Sequence, residues 1–236
     1  MDPYSWSWNA EALAVLLALT AAYVWALRRF PAAPWRVACF AAAVVLLAAV
    51  TITPIETIAL NYLLSVHLIQ NVVLAEWAPL LAVLGIPPLL AAAAPGVPPL
   101  PALVLWVVNY GVWHLPWLYD AALRHPHSLL HLEHALYFGT GVLLWWPVVH
   151  EPLPSGLKAA YLFAAFLLAS PIGLVLALVP EPIYSFYADG PGLWGLSPIL
   201  DQQIAGVSMA AAEAVVFFAA FAFFFVRFFA EQDAAT

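Results

Sequence analysis

Cysteine and basic residues are scarce in this chain, and each scarcity excludes a class of protein. The single cysteine, Cys39, excludes an internal disulfide framework and any CxxC metal or redox motif. Only 6 Lys and Arg accompany 13 Asp and Glu, which leaves no basic patch for nucleic acid or for anionic lipid headgroups. We therefore expect no nucleic-acid partner, and we expect any metal to be held by His, Met, carboxylate or amide groups.

Charged residues of either sign are rare as well, and what replaces them is apolar. Only 8% of the 236 residues are charged, while 66% are hydrophobic and 14% are aromatic. The mean hydropathy of +0.96 lies outside the range of soluble domains, so we predict an integral membrane protein in contact with the lipid bilayer. We expect residues 1–236 to form a single all-α transmembrane domain. The first apolar segment follows no basic secretory region, so we expect it to remain as an anchor.

Apolar segments long enough to cross the bilayer predict a polytopic helical bundle. A span needs about 20 mostly apolar residues. On that rule, seven transmembrane helices are predicted near residues 9–27, 34–53, 59–84, 102–119, 128–149, 158–179 and 202–228. The proline-rich segments 85–101 and 180–198 are predicted to be interfacial loops, the first with room for one short helix.

The distribution of basic residues predicts the orientation of these spans. Cytoplasmic loops carry an excess of Lys and Arg. With seven crossings, five of the six basic residues fall on one side and only Arg124 falls opposite. We therefore predict that the N-terminus is outside and the C-terminus is inside. The five residues on the inner side are Arg28, Arg29, Arg36, Lys158 and Arg227.

Histidines gather near the outer ends of three predicted spans. His67 and His114 lie at similar depth in spans three and four, and His131 and His134 open span five on one helical face. Four imidazoles at one level are what a His-ligated metal or a haem would require. The competing interpretation is that each is a buried histidine bonded to a backbone carbonyl.

The other histidines and one acidic neighbour are assigned lesser roles. His127 lies one turn further out than His131, as an entry ligand or a bystander. Glu133 lies off the histidine face, and His125 and His150 are predicted to be solvated loop residues.

Further polar residues fall on the third and last spans. Gln202, Met209 and Glu213 form one stripe, with Asp201 beside its outer end. The Met209 thioether is a soft ligand suited to Cu(I), although methionine is more often a packing residue. Deeper carboxylates such as Glu213 are costly in a bilayer and are candidates for a pathway or second coordination shell. Further candidates for these roles are His127, Gln70, Asn71, Asp201, Gln202 and Glu76, with interhelical hydrogen bonding as the alternative for Gln70 and Asn71.

These residues leave three classes of function open. A copper-handling protein needs a metal site but no turnover. A haem protein for electron transfer could use paired histidines on neighbouring spans. A copper or proton transporter would use the deeper carboxylates. We do not expect an enzyme, because the HLEH sequence from His131 is one residue short of the HExxH spacing.

Four stretches of the chain resemble one known family. They are SVHLIQNVVLAEWAPLLAVLGIPPLL from Ser65, WHLPWLYDAAL from Trp113, LLHLEHALYFGTGVLLWWPVV from Leu129 and DQQIAGVSM from Asp201. In this order they are similar to the signature stretches of the CtaG-type cytochrome c oxidase assembly factors, seven-span membrane proteins of bacteria.

The resemblance implies a function, a location and partners. It implies a multi-pass protein of the bacterial plasma membrane that handles copper for a haem-copper oxidase. The partners would be oxidase subunits and another copper chaperone. Where such sequences commonly read His-x-x-Gln-His, this chain has Asn71 in place of the second histidine. The residues that match the family's polar motifs are His67, His114, His131, His134, Asp201, Gln202 and Met209.

Overall fold

A computed structural model describes residues 2–234 as an all-helical bundle with no strand among them. Asn9 starts the first helix, because its side-chain Oδ1 accepts the N–H groups of Glu11 (3.0 Å) and Ala12 (3.2 Å). The α-helices are α1 (Ala10–Arg29), α2 (Pro34–Ile52), α3 (Pro54–Asn61), α4 (Leu64–Val72), α5 (Ala78–Gly85), α6 (Pro88–Ala93), α7 (Pro99–Trp113), α8 (Pro116–Arg124), α9 (His131–Val149), α10 (Ser155–Leu178), α11 (Ser185–Ala188) and α12 (Pro198–Asp233). Two π-helical turns, Val73–Trp77 and Pro126–Leu130, lead into α5 and α9.

Five helical stretches are long and apolar enough to cross a membrane. They are Ala10–Arg29, Pro34–Ile52, Leu64–Gly85, Ser155–Leu178 and Pro198–Asp233, and Pro99–Trp113 is a shorter apolar helix. The chain is therefore a membrane protein. The expected short helix in the 85–101 loop is present as α6, and α11 is a single turn in the 180–198 loop.

The prediction of one helix over 59–84 was wrong at its N-terminal end, because the chain breaks between α3 and α4. Leu63 has extended backbone angles (φ −131°, ψ 123°), so the helix starts again at Leu64. The Asp201 carboxylate accepts the N–H groups of Leu64 (2.7 Å) and Ser65 (3.2 Å). A side chain from the last helix thus caps the new helix start.

A second break divides the predicted span 102–119. Helix α7 ends at Trp113, and Pro116 begins α8. Proline disfavours helical backbone in the residue before it, and Leu115 accordingly has a ψ of 125°. His114 therefore lies at a helix end inside the bundle, where backbone polar groups are not all used by the helix.

Close helix contacts hold these broken segments together. A Cβ added at Gly141 of α9 would overlap the carbonyl of Ala75 in the first π-helical turn. A Cβ at Gly206 of α12 would overlap the carbonyl of Gly173 in α10. Small residues allow backbones to approach in this way in membrane bundles. The first contact fixes α9, which carries His131 and His134, against the helix that carries His67.

Candidate metal site

Three histidine Nε2 atoms, those of His67, His114 and His134, are buried within the described bundle. None of the three has a hydrogen-bond partner within residues 2–234, and we call them the open Nε2 atoms. The ring centroids of His67 and His134 lie 6.3 Å apart. A buried polar atom without a partner costs roughly 1–3 kcal/mol, so three in one region indicate a binding site.

Hydrogen bonds at Nδ1 define the protonation of two of these rings. His114 Nδ1 donates to the carbonyl of Tyr110 (2.8 Å). The Tyr187 hydroxyl donates its proton to the Ala59 carbonyl (2.6 Å), so it accepts from His67 Nδ1 (2.8 Å). Both rings therefore carry the proton on Nδ1 and a lone pair on Nε2. Metal-binding histidines are oriented in this way by carbonyl or hydroxyl partners.

Tyrosines that the sequence analysis missed surround these histidines. The Tyr119 hydroxyl lies 3.0 Å from His67 Nδ1, and the Tyr137 hydroxyl lies 3.4 Å from His114 Nδ1. The rings of Tyr119 and His114 lie 6.1 Å apart. Two sequence signals were available, because Tyr119 follows the WHLP motif and Tyr137 lies three residues after His134 on the same helical face.

His131 occupies a different position from the open Nε2 atoms. It is only partly buried, and its Nε2 accepts from the Asn9 amide (3.1 Å), because Asn9 Oδ1 is already used as the cap of α1. Its ring lies 5.9 Å from that of His127, which is exposed. His131 thus lies at the rim of the bundle, nearer to the protein surface, while the other three predicted histidine ligands lie inside.

One group of at least three His, Cys, Asp or Glu side chains within residues 2–234 has all its ligand atoms within 4.8 Å of one another. That group is Glu11, His127 and His131. The open Nε2 atoms are farther apart than this, so side-chain rotation is needed before they can share one ion. The four-histidine ligand set stays a prediction, with three members in the interior and one at the rim.

Two predicted second-shell residues, Asp201 and Gln202, are fully engaged with other parts of the fold. Asp201 accepts the Ser65 hydroxyl (2.5 Å) in addition to the two N–H groups of α4. Gln202 Oε1 accepts the N–H of Ile183 (2.6 Å). Its Nε2 donates to the carbonyls of Leu176 (3.3 Å) and Glu181 (3.1 Å). These side chains position helices and loops around the site.

The deeper predicted residues form an acidic interior. Met209 and Glu213 of α12 are completely buried. Glu213 Oε1 accepts from the Tyr110 hydroxyl, and its Oε2 has no partner in the described part of the chain. Neither Glu76 oxygen has a partner there, and Glu213 is near enough to act on Glu76 electrostatically. Glu76 lies in a π-helical turn, a feature found frequently at functional sites.

Gln70 and Asn71 form interhelical hydrogen bonds, which was the alternative considered for them. Gln70 Nε2 donates to the carbonyl of Val50 in α2 (2.7 Å) and to the Glu56 carboxylate. Asn71 Nδ2 donates to Glu133 Oε1 (3.4 Å). Burial raises the pKa of Glu56 to about 8, although the Gln70 hydrogen bond opposes this effect.

Glu133 is a candidate that the helical-face argument set aside. Its side chain is completely buried, and one of its oxygens has no partner in residues 2–234. It also hydrogen-bonds Tyr137, which contacts His114. The available signal was its place in an apolar segment, because a carboxylate there faces the protein rather than lipid.

The two remaining histidines differ from each other. His125 is exposed, and its Nδ1 donates to the Ala121 carbonyl (2.9 Å). The prediction that His150 is solvated was wrong, because it is half-buried and its Nε2 donates to the Val83 carbonyl (3.0 Å). Burial lowers the pKa of His150, which fits a neutral ring bonded to the end of α5.

Comparisons with known proteins identify the family. A family model described as cytochrome c oxidase caa3 assembly factor (Caa3_CtaG) matches residues 21–231, nearly the whole chain. No curated protein and no solved structure matches the chain. The matched region contains the open Nε2 atoms and the buried carboxylates, and it excludes Asn9 and Glu11. The chain belongs to the cytochrome c oxidase caa3 assembly factor family.

Proposed function

We propose that this membrane protein binds copper at His67, His114 and His134 and delivers it to cytochrome c oxidase during assembly. The observation that carries the proposal is the set of open Nε2 atoms on three different parts of the chain. In His67 and His114 the hydrogen bonds at Nδ1 leave a lone pair for a metal. His131 at the rim and Met209 in the core remain the other proposed ligands.

The chemistry of the ligands favours copper as a cargo. Neutral imidazole suits copper, and a thioether selects Cu(I) in particular. Asn71 donates its amide to Glu133, so this chain has one imidazole fewer than the motif that it resembles. A site with few ligands, which must close by side-chain rotation, suits a protein that releases its metal to a partner. The proposed partners are oxidase subunits and another copper chaperone.

Copper binding is tested directly with the purified protein in detergent. We expect Cu(I), titrated against a chromogenic chelator, to bind the parent. His67→Ala, His114→Ala and His134→Ala should each lower the affinity at least tenfold, and a second replacement should add little. His125→Ala is the matched control, because that ring is exposed and lies away from the site. Parental affinity in all three single variants would refute the proposed site.

The assembly role is tested in cells. A strain that lacks this protein should synthesise oxidase subunits but assemble an oxidase with little copper and low activity. Surplus copper in the medium should restore part of the activity. Normal oxidase activity in the deletion strain would remove the assembly role.

The proposed topology is seven spans in a bacterial plasma membrane, with the N-terminus outside and the C-terminus inside. Two helices would be added to the five long apolar ones, namely Pro99–Trp113 and the 19-residue His131–Val149. In a Cys39→Ser background, cysteines at Ser7 and Asp189 should react with an impermeant reagent in intact cells. A cysteine at Arg29 should not react, and its labelling would contradict seven spans.

The acidic interior supports a second candidate, inward transport of copper or protons. Glu76, Glu133 and Glu213 each have at least one buried carboxylate oxygen without a partner within residues 2–234. Such groups in membrane proteins mark ion and proton pathways. Metal-dependent flux into proteoliposomes, reduced at least tenfold by Glu213→Gln, would support transport. Copper binding without flux would leave delivery to the oxidase as the function.

A further inference from the structure

The N-terminus of α1 meets the start of α9 at a cluster of three ligand-bearing side chains. The ligand atoms of Glu11, His127 and His131 all lie within 4.8 Å of one another. His127 Nδ1 and Glu11 Oε2 are 3.9 Å apart, a contact that exposed side chains make at little gain in free energy. A simple ion pair would not need the third residue, whereas a metal ion uses all three.

Asn9 holds His131 in place for this cluster. Its Oδ1 accepts two N–H groups of α1, and its Nδ2 therefore faces His131 Nε2 at 3.1 Å. The bond keeps the ring neutral, the form that metals bind, with the lone pair of Nε2 used by Asn9 and the proton on Nδ1. An ion that binds at His131 Nε2 therefore displaces the Asn9 amide. The cap of α1 thus places Glu11 beside the two histidines of α9 and its preceding π-helical turn.

A cavity of about 320 Å³ lies beside the cluster, and its lining includes Asn9, Glu11, His131 and His134. Most of its other lining side chains are apolar. The Nε2 of His134 is one of the open Nε2 atoms. An ion at the cluster would therefore lie beside a cavity that also borders this imidazole.

The ligand types indicate which ion this cluster would take. Two imidazoles and one carboxylate suit borderline divalent ions of the first transition series, with Cu²⁺ bound most tightly among them. The buried histidines and Met209 offer no carboxylate to the same ion and suit Cu(I) better. Glu11 lies outside residues 21–231, whereas His127 and His131 lie inside, so only part of this cluster belongs to the region that matches the family.

We propose that Glu11, His127 and His131 form a second, solvent-facing metal site that binds a divalent transition-metal ion. The site rests on the geometry of these three side chains. Open coordination positions on three protein ligands would let the ion be exchanged.

The test uses Cu²⁺ as the probe on the full-length protein without a histidine tag, in detergent. We expect one Cu²⁺ to bind with a paramagnetic resonance spectrum that shows two imidazole nitrogens. Glu11→Gln and His127→Ala should each lower the Cu²⁺ affinity at least tenfold, and His127→Ala should leave one imidazole nitrogen. His125→Ala is the control and should bind like the parent, because His125 is also exposed and lies two residues before His127 but outside the cluster.

A second measurement guards against misfolding. Cu²⁺ should raise the thermal midpoint of the parent and of His125→Ala, because a ligand that binds the folded state stabilises it, and it should not raise that of Glu11→Gln. Parental Cu²⁺ affinity in both Glu11→Gln and His127→Ala would overturn the site. His67→Ala distinguishes the two proposals, since it should lose Cu(I) binding and keep the Cu²⁺ signal.

Discussion

The open Nε2 atoms and the side chains of Asp201 and Gln202 are both buried polar groups, yet they differ in hydrogen bonding. Asp201 and Gln202 accept from or donate to backbone groups of three chain segments, namely α4, the end of α10 and the 180–198 loop. The three histidines keep a ring nitrogen without a partner in the described residues. Satisfied polar groups stabilise the fold, while unsatisfied ones cost stability and are retained where a ligand uses them.

This comparison separates residues that build the site from residues that bind. By sequence alone, Asp201 and His67 are equally polar and equally unexpected in an apolar segment. Their partners show that Asp201 caps the helix that carries His67. Substitution of Asp201 should therefore reduce the stability of the fold, and substitution of His67 should change ligand binding.

The largest effect on stability is expected for Asp201→Ala. It removes the acceptor for the N–H groups of Leu64 and Ser65 and for the Ser65 hydroxyl. The lost cap and the orphaned buried donors should cost about 2–4 kcal/mol in the free energy of unfolding. Asp201→Asn, which keeps one acceptor oxygen, should cost less. Chemical denaturation in mixed micelles measures both, and parental stability in Asp201→Ala would break the comparison.

A somewhat smaller effect is expected where α9 contacts the first π-helical turn. Gly141→Ala would press a methyl group against the Ala75 carbonyl and the Pro79 ring, and overpacking of this kind costs about 1–3 kcal/mol. Gly139→Ala is the matched control, because nothing lies within 4 Å of a Cβ there. Thermal unfolding of the two variants compares them, and equal midpoints would show that this contact is not tight.

Glu56→Gln should change how stability depends on pH. The pKa of Glu56 is raised from 4.5 to about 8 in the folded protein, so the native state holds a proton that the unfolded chain releases between these values. Stability from this group is complete below pH 4.5 and is lost as the pH rises through 8. The Gln variant should lack this loss and should therefore be more stable than the parent in alkaline buffer. Unfolding curves of the variant and the parent between about pH 5 and pH 9 measure this difference. Parallel pH profiles of the two proteins would show that Glu56 does not cause the pH dependence.

The smallest effect on stability is expected for His134→Leu. Replacing a ring whose Nε2 is buried without a partner by an apolar side chain of similar size should change the free energy of unfolding by less than about 1 kcal/mol. Cu(I) binding should nevertheless fall at least tenfold. A variant that loses stability as Asp201→Ala does would place His134 among the structural residues.

Much of the membrane architecture could be predicted from composition and helix signals. The first two helices, Ala10–Arg29 and Pro34–Ile52, lie close to the expected 9–27 and 34–53, because long apolar runs bounded by polar or proline residues suffice to define them. The breaks at Leu63 and His114 were missed. The break at Leu63 is stabilised by Asp201, which is more than a hundred positions away in the sequence. A contact over that distance cannot be predicted from the hydrophobic periodicity of one segment.

Some residues of the candidate site could also be predicted from the sequence, and others could not. His67, His114 and His134 could be selected by residue type and depth alone, since polar groups are expensive in a bilayer wherever they occur. Glu133 was set aside because it does not share a helical face with the histidines of α9. In the structure its carboxylate is buried and accepts from Asn71 of α4. The pairing of Glu11 with His127 and His131 joins the first helix to the fifth predicted span, and no local pattern contains it.

The sequence by itself determined that this chain is an apolar, helical membrane protein and which of its side chains are costly in a bilayer. Those properties depend on the local balance of apolar and polar groups. Only the tertiary structure decided which of the costly side chains are satisfied and which are not. A hydrogen bond is a property of two groups, and the partners of Asp201, Gln202 and the histidines come from other helices that only folding brings within reach.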